Sequence, residues 1–427
     1  MAPTFVGGAT KSLVQASTTN WWQNYSDPVL NEFVEIGLSS NLDIRTALER
    51  IVAARQDARA FGLPEQVTGD ASIDGRRTEA NGVIDETLNA SLDATFVFDI
   101  FGGFKRGREQ SLAQLEAAQF DAGTVRLAYL ADIVSAYVLV RYYETAASIT
   151  RRSIRSRRGT LDVVNTRFRA EEATTLDVAQ AQSLLRTAEA SLPIIEAQRH
   201  VNAFRIATLL DVPTSTVMAK LSKPRRIPRV RGGMATGVPA DLLRNRPDVR
   251  SAERTLAAST ARFGVSAAQL FPSVSLGGTI TTGDNQGWTL GPSITVPLFD
   301  QTRRRANRNI ALSQARQAEL AYRLEVRQAA EEVQTALVLV NARRRQSNAL
   351  QQAASTSERV NNLTRTSFGE GLVPIDTVLD AERTVLDNQL QLALANSEWA
   401  QAWAQLQVAL GKGWATTQPD PAVAEES

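Results

Sequence analysis

The sequence predicts a mainly α-helical chain with a β-barrel portion, built twice over on one plan. Three observations carry this: a repeated order of segments, heptad spacing of apolar residues along extended stretches, and strict alternation in short ones. Ala, Gln, Arg and Leu dominate long runs, while aromatics make up only 6 % of the 427 residues. That balance suits long helices better than a compact mixed core.

The repeat is visible in short echoes. Trp21-Trp22 opens a segment holding Asn41-Leu42-Asp43-Ile44-Arg45 and then Gly62-Leu63-Pro64; downstream, Arg246-Pro247-Asp248-Val249-Arg250 leads to Leu270-Phe271-Pro272. Phe98-Asp99-Ile100-Phe101 is echoed by Val296-Pro297-Leu298-Phe299. Basic clusters follow both, Lys105, Arg106 and Arg108 in one case, Arg303, Arg304, Arg305 and Arg308 in the other.

The helical parts match more closely. Val178, Ala181, Leu185, Ala188, Leu192 and Ile195 step alternately by three and four. So do Val378, Ala381, Val385, Asn388, Leu392, Ala395, Trp399, Ala402, Leu406 and Ala409, displaced by a constant 200 residues. A mean step of about 3.5 belongs to helices that wrap around one another. The first series is interrupted at Arg199 and Asn202 and resumes at Ile206 and Leu209; Pro193 is expected to kink or break its helix.

Each half then reads the same way. Residues 1–225 form the first structural repeat, with an opening helix over roughly 26–61, a strand pair at about 67–99, and helices at about 104–165 and 174–210. Residues 226–238 lie in a stretch rich in Pro, Gly and Arg and read as the linker. Residues 239–414 repeat the plan, with an opening helix to 270, strands at about 273–299, and helices at about 302–366 and 374–411; residues 415–427 read as a flexible tail. At 1.5 Å per residue, an outgoing helix of ~60 residues spans on the order of 90 Å, too long to bury in a globule of this size.

The strands alternate. Leu88, Ala90, Leu92, Ala94, Phe96 and Phe98 are apolar, and Thr87, Asn89, Ser91, Asp93 and Thr95 between them are polar. Leu290, Ile294, Val296 and Leu298 repeat the pattern against Thr289, Ser293 and Thr295. Val274, Leu276, Gly278 and Ile280 mark a partner strand, and Ala71 and Ile73 a weaker one. Asn81-Gly82 and Gly283-Asp284-Asn285 supply hairpin turns. Alternation over about ten residues fits a barrel strand with one apolar and one wet face; it equally serves a small soluble sheet covered by helices. Four strands cannot close a barrel, and lipid tolerates no open edge, so a barrel would need other copies of the chain. The long helices favour that reading, because their apolar stripes also need neighbours.

Composition narrows the chemistry. Net charge is +2, so the basic pI reflects near balance and not a nucleic-acid-binding surface. Cysteine is absent, which removes disulfides, thiolate metal sites and cysteine nucleophiles. His200 is the only histidine and has no ligand cluster around it in the sequence, and Gly102-Gly103 and Gly277-Gly278 lack the Lys-Ser/Thr of a phosphate loop. No enzyme, cofactor or metal is expected. No uninterrupted run of about 18 apolar residues suggests a membrane-crossing helix. The N-terminus lacks a basic and then apolar signal region, the pattern of a soluble chain or of a mature, signal-stripped one.

Four segments together resemble the TolC-like outer-membrane efflux proteins, in the NodT-type branch associated with proton-driven RND pumps. They are residues 241–250 (Asp241 to Arg250), Phe98-Asp99-Ile100-Phe101-Gly102, residues 291–300 (Gly291 to Asp300), and Leu410-Gly411-Lys412-Gly413-Trp414. The resemblance covers nearly the whole chain. It implies a homotrimer with a 12-stranded barrel in outer-membrane lipid and a helical periplasmic tunnel, in a Gram-negative bacterium. It also implies an exit duct for drugs or other small toxic compounds, served by a periplasmic adaptor (membrane fusion) protein and an inner-membrane RND pump. The alternatives are a duct for type I protein secretion and, in a different class, a soluble helical scaffold. The chain departs from the family by having no N-terminal cysteine for lipidation, and by placing Glu171 where the family usually has glycine, whereas Phe368-Gly369-Glu370-Gly371 keeps it.

Functional residues are expected at the helix tips. Pro374 suits a first helical turn. Asp376 and Asp380 stand one turn apart on one face, as do Asp380 and Arg383. By the resemblance, Asp380 and Arg383 match the periplasmic gate positions, with Asp376 one turn nearer the tip. Alternatively they are solvated surface charges. Phe168, Phe368, Gly371 and Leu372 are candidates for tip packing and adaptor docking. Trp288, beside a hairpin, is a candidate interface aromatic, or equally a loop contact.

Overall fold

The computed structural model describes residues 20–61, 66–230 and 245–415. Gly62-Leu63-Pro64, most of the linker, the start of the second opening helix, Asp241 to Arg244, and the tail beyond Ala415 lie outside the described residues. In chain order the elements are α1 (Pro28–Ser40), α2 (Leu42–Ala60), β1 (Val67–Ala80), β2 (Val83–Phe98), α3 (Gly103–Arg169), α4 (Thr175–Leu210) and α5 (Thr214–Lys220). Then follow α6 (Pro247–Ala268), β3 (Ser273–Gly283), β4 (Gly287–Thr295), α7 (Gln301–Gly369) and α8 (Ile375–Ala409).

The first opening helix is two helices, not one. Asn41 leaves helical geometry at ψ 128°, its side-chain oxygen accepts from the amides of Asp43 and Ile44, and its side-chain amide donates to Leu209 O at 2.9 Å. It therefore caps α2 while tying the junction to α4. Pro193, by contrast, does not end its helix: α4 runs unbroken through it. Buried residues on either side, Ala181 to Ala188 and Asn202 to Leu210, hold both parts, and the buried seam lapses only between them.

The chain forms two compact units that cross the two sequence repeats. One comprises the described residues within Met1–Arg45, Thr124–Arg246 and Ala329–Ser427; the other, those within Thr46–Gly123 and Pro247–Gln328.

The first unit holds the main core. Trp21, Tyr25 and Trp403 meet edge-on, and Leu30, Phe33, Leu130, Ile133, Tyr137, Ile206, Leu337 and Leu406 are buried around them. By length and composition α3 contains a stretch apolar enough to cross a membrane, but its Leu127 to Val140 section supplies this core. The C-terminal motif locks onto the same unit. Trp414 Nε1 donates to Asn245 O at 2.6 Å, and Trp21 Nε1 to Lys412 O at 3.1 Å. Burial pushes the Lys412 ammonium down to about 8, and it donates to Gln407.

One glycine fixes how closely α1 approaches α3. A Cβ at Gly37 would lie 1.8 Å from the Tyr129 hydroxyl oxygen, and Tyr129 is itself buried and donates to Phe33 O. Gly37→Ala is expected to destabilise the fold by about 3 kcal/mol through overpacking. Gly159→Ala, in α3 with open space around it, should stabilise by about 0.5–1 kcal/mol. Paired urea titrations measure both, and a neutral Gly37→Ala would contradict the packing.

The second unit carries one antiparallel sheet in the order β1-β2-β3-β4. Asn81 and Gly82 both take positive φ, 53° and 77°, as a two-residue hairpin turn requires. β2 pairs with β3 across the repeat boundary, from Phe98↔Val274 to Asn89↔Gly283. β4 stops at Thr295, so Val296 and Leu298, expected in the strand, lie beyond it; Pro297 has no amide to donate. Asp99 accepts from the amides of Phe104 and Lys105 at 3.2 and 2.9 Å, starting α3 where the strand ends.

Candidate functional site: the sheet face and the helix tips

Because antiparallel partners share a face, the register sorts the sheet into an apolar and a polar side, save near the β1–β2 turn, where Arg77 pairs with Glu86 on the apolar side. Leu92 stands opposite Ala71 and Ile280, and Ile280 opposite Trp288; Gly278 faces Leu290, and Val274 faces Ile294. Ile73, Leu88, Leu92, Ile280, Trp288, Leu290 and Ile294 on that side are 53–77 % exposed. The opposite side is hydroxyl- and carboxylate-lined: Ser72 meets Ser91 at 2.8 Å, and Thr279 donates to Asp93 at 2.5 Å. An apolar face this continuous and this exposed has no place in water. β1 and β4, as the outer strands, each leave one edge without a partner among the described residues.

The helix tips lie in the first unit. Both turns are built alike. Glu171 and Gly371 take positive φ, 63° and 77°. Each turn closes with a pair of backbone bonds, Glu171 N to Phe168 O and Glu172 N to Arg167 O in one, Gly371 N to Phe368 O and Leu372 N to Ser367 O in the other. Glu171 thus adopts the left-handed geometry without being glycine, at a local cost of ~1 kcal/mol. Glu171→Gly should recover up to about that amount, read as slower amide exchange in the turn and a small rise in melting temperature; Gly371→Ala should lose a similar amount.

The helices that leave the turns start differently. Thr174 and Asp177 form a reciprocal capping box on α4. Pro374 occupies the N-cap position of α8 without a side-chain capping bond, one position before the first turn expected for it.

The two tip phenylalanines part company. Phe368 is buried with Val164, Ala181, Leu184, Ile375, Val378 and Leu379, whereas Phe168 is exposed. Arg167 adds to the cover of Phe368: its guanidinium lies 4.2 Å from the Phe368 ring centre and donates to Phe368 O at 2.6 Å and Gly369 O at 3.1 Å. Leu372 is exposed, and with Gly371, Arg167, Glu172 and Asp177 it lines a groove at the tips.

On α8, Arg383 donates to Asp380 Oδ1 at 3.0 Å, and both side chains are well exposed. Asp376, in the first turn, accepts from Thr377 N at 2.7 Å and from Thr377 Oγ1 at 3.3 Å. The structure therefore brings Asp380 and Arg383 together and leaves Asp376 apart, held by its own helix start.

Behind this exposed pair lies a buried polar layer that sequence reasoning does not single out. Glu382 is buried, and its Oε1 accepts from Ser156 Oγ at 3.1 Å and Thr160 Oγ1 at 2.7 Å. Arg157, also buried, donates to Leu184 O at 2.9 Å, and Arg365 donates to Ser156 Oγ at 2.9 Å. Burial lowers the Arg157 pKa, while Glu382 and Asp387 oppose the shift. The available signal is an acid at position 382, within one turn of the apolar Val378, Leu379, Val385 and Leu386.

A sheet with one face for lipid and one for water, and helices ending in tight turns, together define a channel subunit of the outer membrane. Comparison with known proteins agrees. A family model described as outer membrane efflux protein matches residues 34–211 and 238–412. The nodulation protein T of Rhizobium leguminosarum bv. viciae is 37 % identical over 426 residues, covering 96 % of this chain and 88 % of that protein. The pyoverdine export outer membrane protein OpmQ of Pseudomonas putida is 28 % identical, covering 93 % and 89 %. The solved structure of the outer-membrane channel OprN superimposes with a TM-score of 0.89 at 30 % identity, covering 97 % of each chain.

The chain belongs to the outer membrane efflux protein family. It is an outer-membrane efflux duct of the TolC-like, NodT-type branch in a Gram-negative bacterium, and its family and fold are those of channel proteins, not enzymes. Membership removes the soluble-scaffold reading.

Proposed function

We propose that the chain is one of three identical subunits that together form the passive exit duct of a tripartite RND-type pump for small toxic compounds. One observation carries the assembly. The four-stranded sheet exposes an apolar face, while β1 and β4 are its outer strands, each with an edge left over. Lipid tolerates neither an open edge nor unsatisfied backbone groups, so further copies must supply the missing strands. Three copies give twelve strands, a size at which the polar faces enclose a wet lumen.

At the helix tips, the groove between Arg167 and Leu372, with Phe168 exposed beside it, is the docking surface for a periplasmic adaptor. Asp380 and Arg383, repeated three times about an axis, act as the closing pair, and Asp376 sets a ring of carboxylates one turn nearer the tip. A duct for protein secretion would share this architecture. The small-molecule reading is favoured by relatives such as OpmQ, a pyoverdine export protein.

The mass of the detergent-solubilised protein tests the assembly. A trimer that fractionates with outer membranes is expected. A monodisperse monomer stable without detergent is the result that would remove the proposal.

A further inference from the structure

We infer that Glu382 is a positioning residue of the gate, fixing the height and orientation of α8 so that Asp380 and Arg383 meet their counterparts. The inference rests on reading that pair as the closing element. It deepens that reading by naming what holds the pair in place.

The geometry is specific. Asp380 and Arg383 lie on the exposed side of α8, and their mutual contact is within one helix, so nothing in that contact attaches α8 to the rest of its subunit. Glu382, between them in sequence, faces inward. Its Oε1 takes hydrogen bonds from two hydroxyls one turn apart on α3, Ser156 and Thr160.

Ser156 in turn accepts from Arg365 on α7, and Arg157 beside it donates to Leu184 O on α4. α3, α4 and α8 thus meet in a buried polar layer, and Arg365 of α7 joins it from the exposed rim. Around it, Val164, Leu184, Val378 and Leu379 form an apolar cluster on the tip side, and Ile154, Leu185 and Ala188 form another.

Apolar seams alone tolerate sliding by a turn, because one aliphatic contact resembles the next. A buried carboxylate oxygen with two fixed donors does not: Glu382 Oε2 already lies buried without a hydrogen-bond partner among the described residues, and any slip strips Oε1 of both its donors as well. This is the best-attested use of a buried polar group in a helical seam, which is to specify register more than to add stability.

The test uses full-length protein reconstituted in planar bilayers, with assembly checked as a heat-resistant trimer on gels. Glu382→Leu should raise single-channel conductance several-fold. Ser156→Ala combined with Thr160→Val, which removes the donors from the other helix, should do the same, and combining all three should add little more. Glu382→Gln keeps both the shape and the accepting oxygen and should stay close to the unmodified channel, while the Ser156/Thr160 pair, which leaves Glu382 in place, separates loss of the hydrogen bonds from loss of packing.

Should Glu382→Leu fail to assemble, the Ser156/Thr160 pair decides alone. Unchanged conductance in that pair, or a Glu382→Gln channel as leaky as Glu382→Leu, overturns the inference. A channel opened by Asp380→Ala with Arg383→Ala but indifferent to every change at Glu382, Ser156 and Thr160 overturns the inference while leaving the gate. Indifference to loss of the Asp380–Arg383 pair, with Glu382→Leu still leaky, removes the gate reading itself.

Discussion

Leu92→Arg is expected to cost each subunit about 2–4 kcal/mol of folding free energy in lipid, the penalty for a cation on the outward face near the middle of a barrel strand. Leu92 sits centrally in β2, flanked by Ala71 and Ile280 on the neighbouring strands, and is 53 % exposed. In the proposed trimer the penalty recurs three times, enough to prevent insertion. Ser91→Arg, one residue away but on the wet face against Ser72, should insert normally and alter only conduction. Refolding into vesicles under a urea gradient measures both. Equal loss in the two variants would mean that the sheet is not divided into a lipid face and a lumen face.

The second large effect is functional and should come almost without a stability change. Asp380→Ala with Arg383→Ala is expected to raise single-channel conductance several-fold and to sensitise cells to bulky antibiotics normally kept out. The pair is exposed, and its contact within the helix is worth only about 0.3–0.5 kcal/mol, so the melting temperature should barely move. Separating the two readouts matters. A conductance change with unchanged melting assigns the pair to closure between subunits, whereas no change in either assay leaves it as surface charge.

Alternation and heptad spacing are local properties, and they translate directly into structure. Leu88, Ala90 and Leu92 share one face because side chains in a strand alternate, whatever the neighbouring strand is. Val378, Ala395, Ala402 and Leu406 are buried for the parallel reason, that a step of three and four keeps one stripe of a helix facing inward. The tight turn at Asn81-Gly82 and the reversal at Gly371 follow from residues that accept positive φ.

Other features depend on what comes near from elsewhere in the chain. Asn41 divides the opening helix because Leu209 O, 168 residues away, is placed to receive its side-chain amide. Pro193 is carried inside α4 because packed residues on both sides hold the helix through it. Phe168 and Phe368 occupy matching positions in the two repeats, yet only the second is covered, by Val164, Leu184, Val378 and the Arg167 guanidinium brought to it from other helices.

The amino-acid sequence by itself determined the two-fold plan, the helical and strand segments, and which strand residues share a face, because each follows from spacing along one chain. Tertiary structure alone decided that β2 joins β3, and that Glu382 turns inward to Ser156 and Thr160 while Asp380 and Arg383 stay outside. A carboxylate's burial depends on donors supplied by another helix, and no periodicity within its own helix records them.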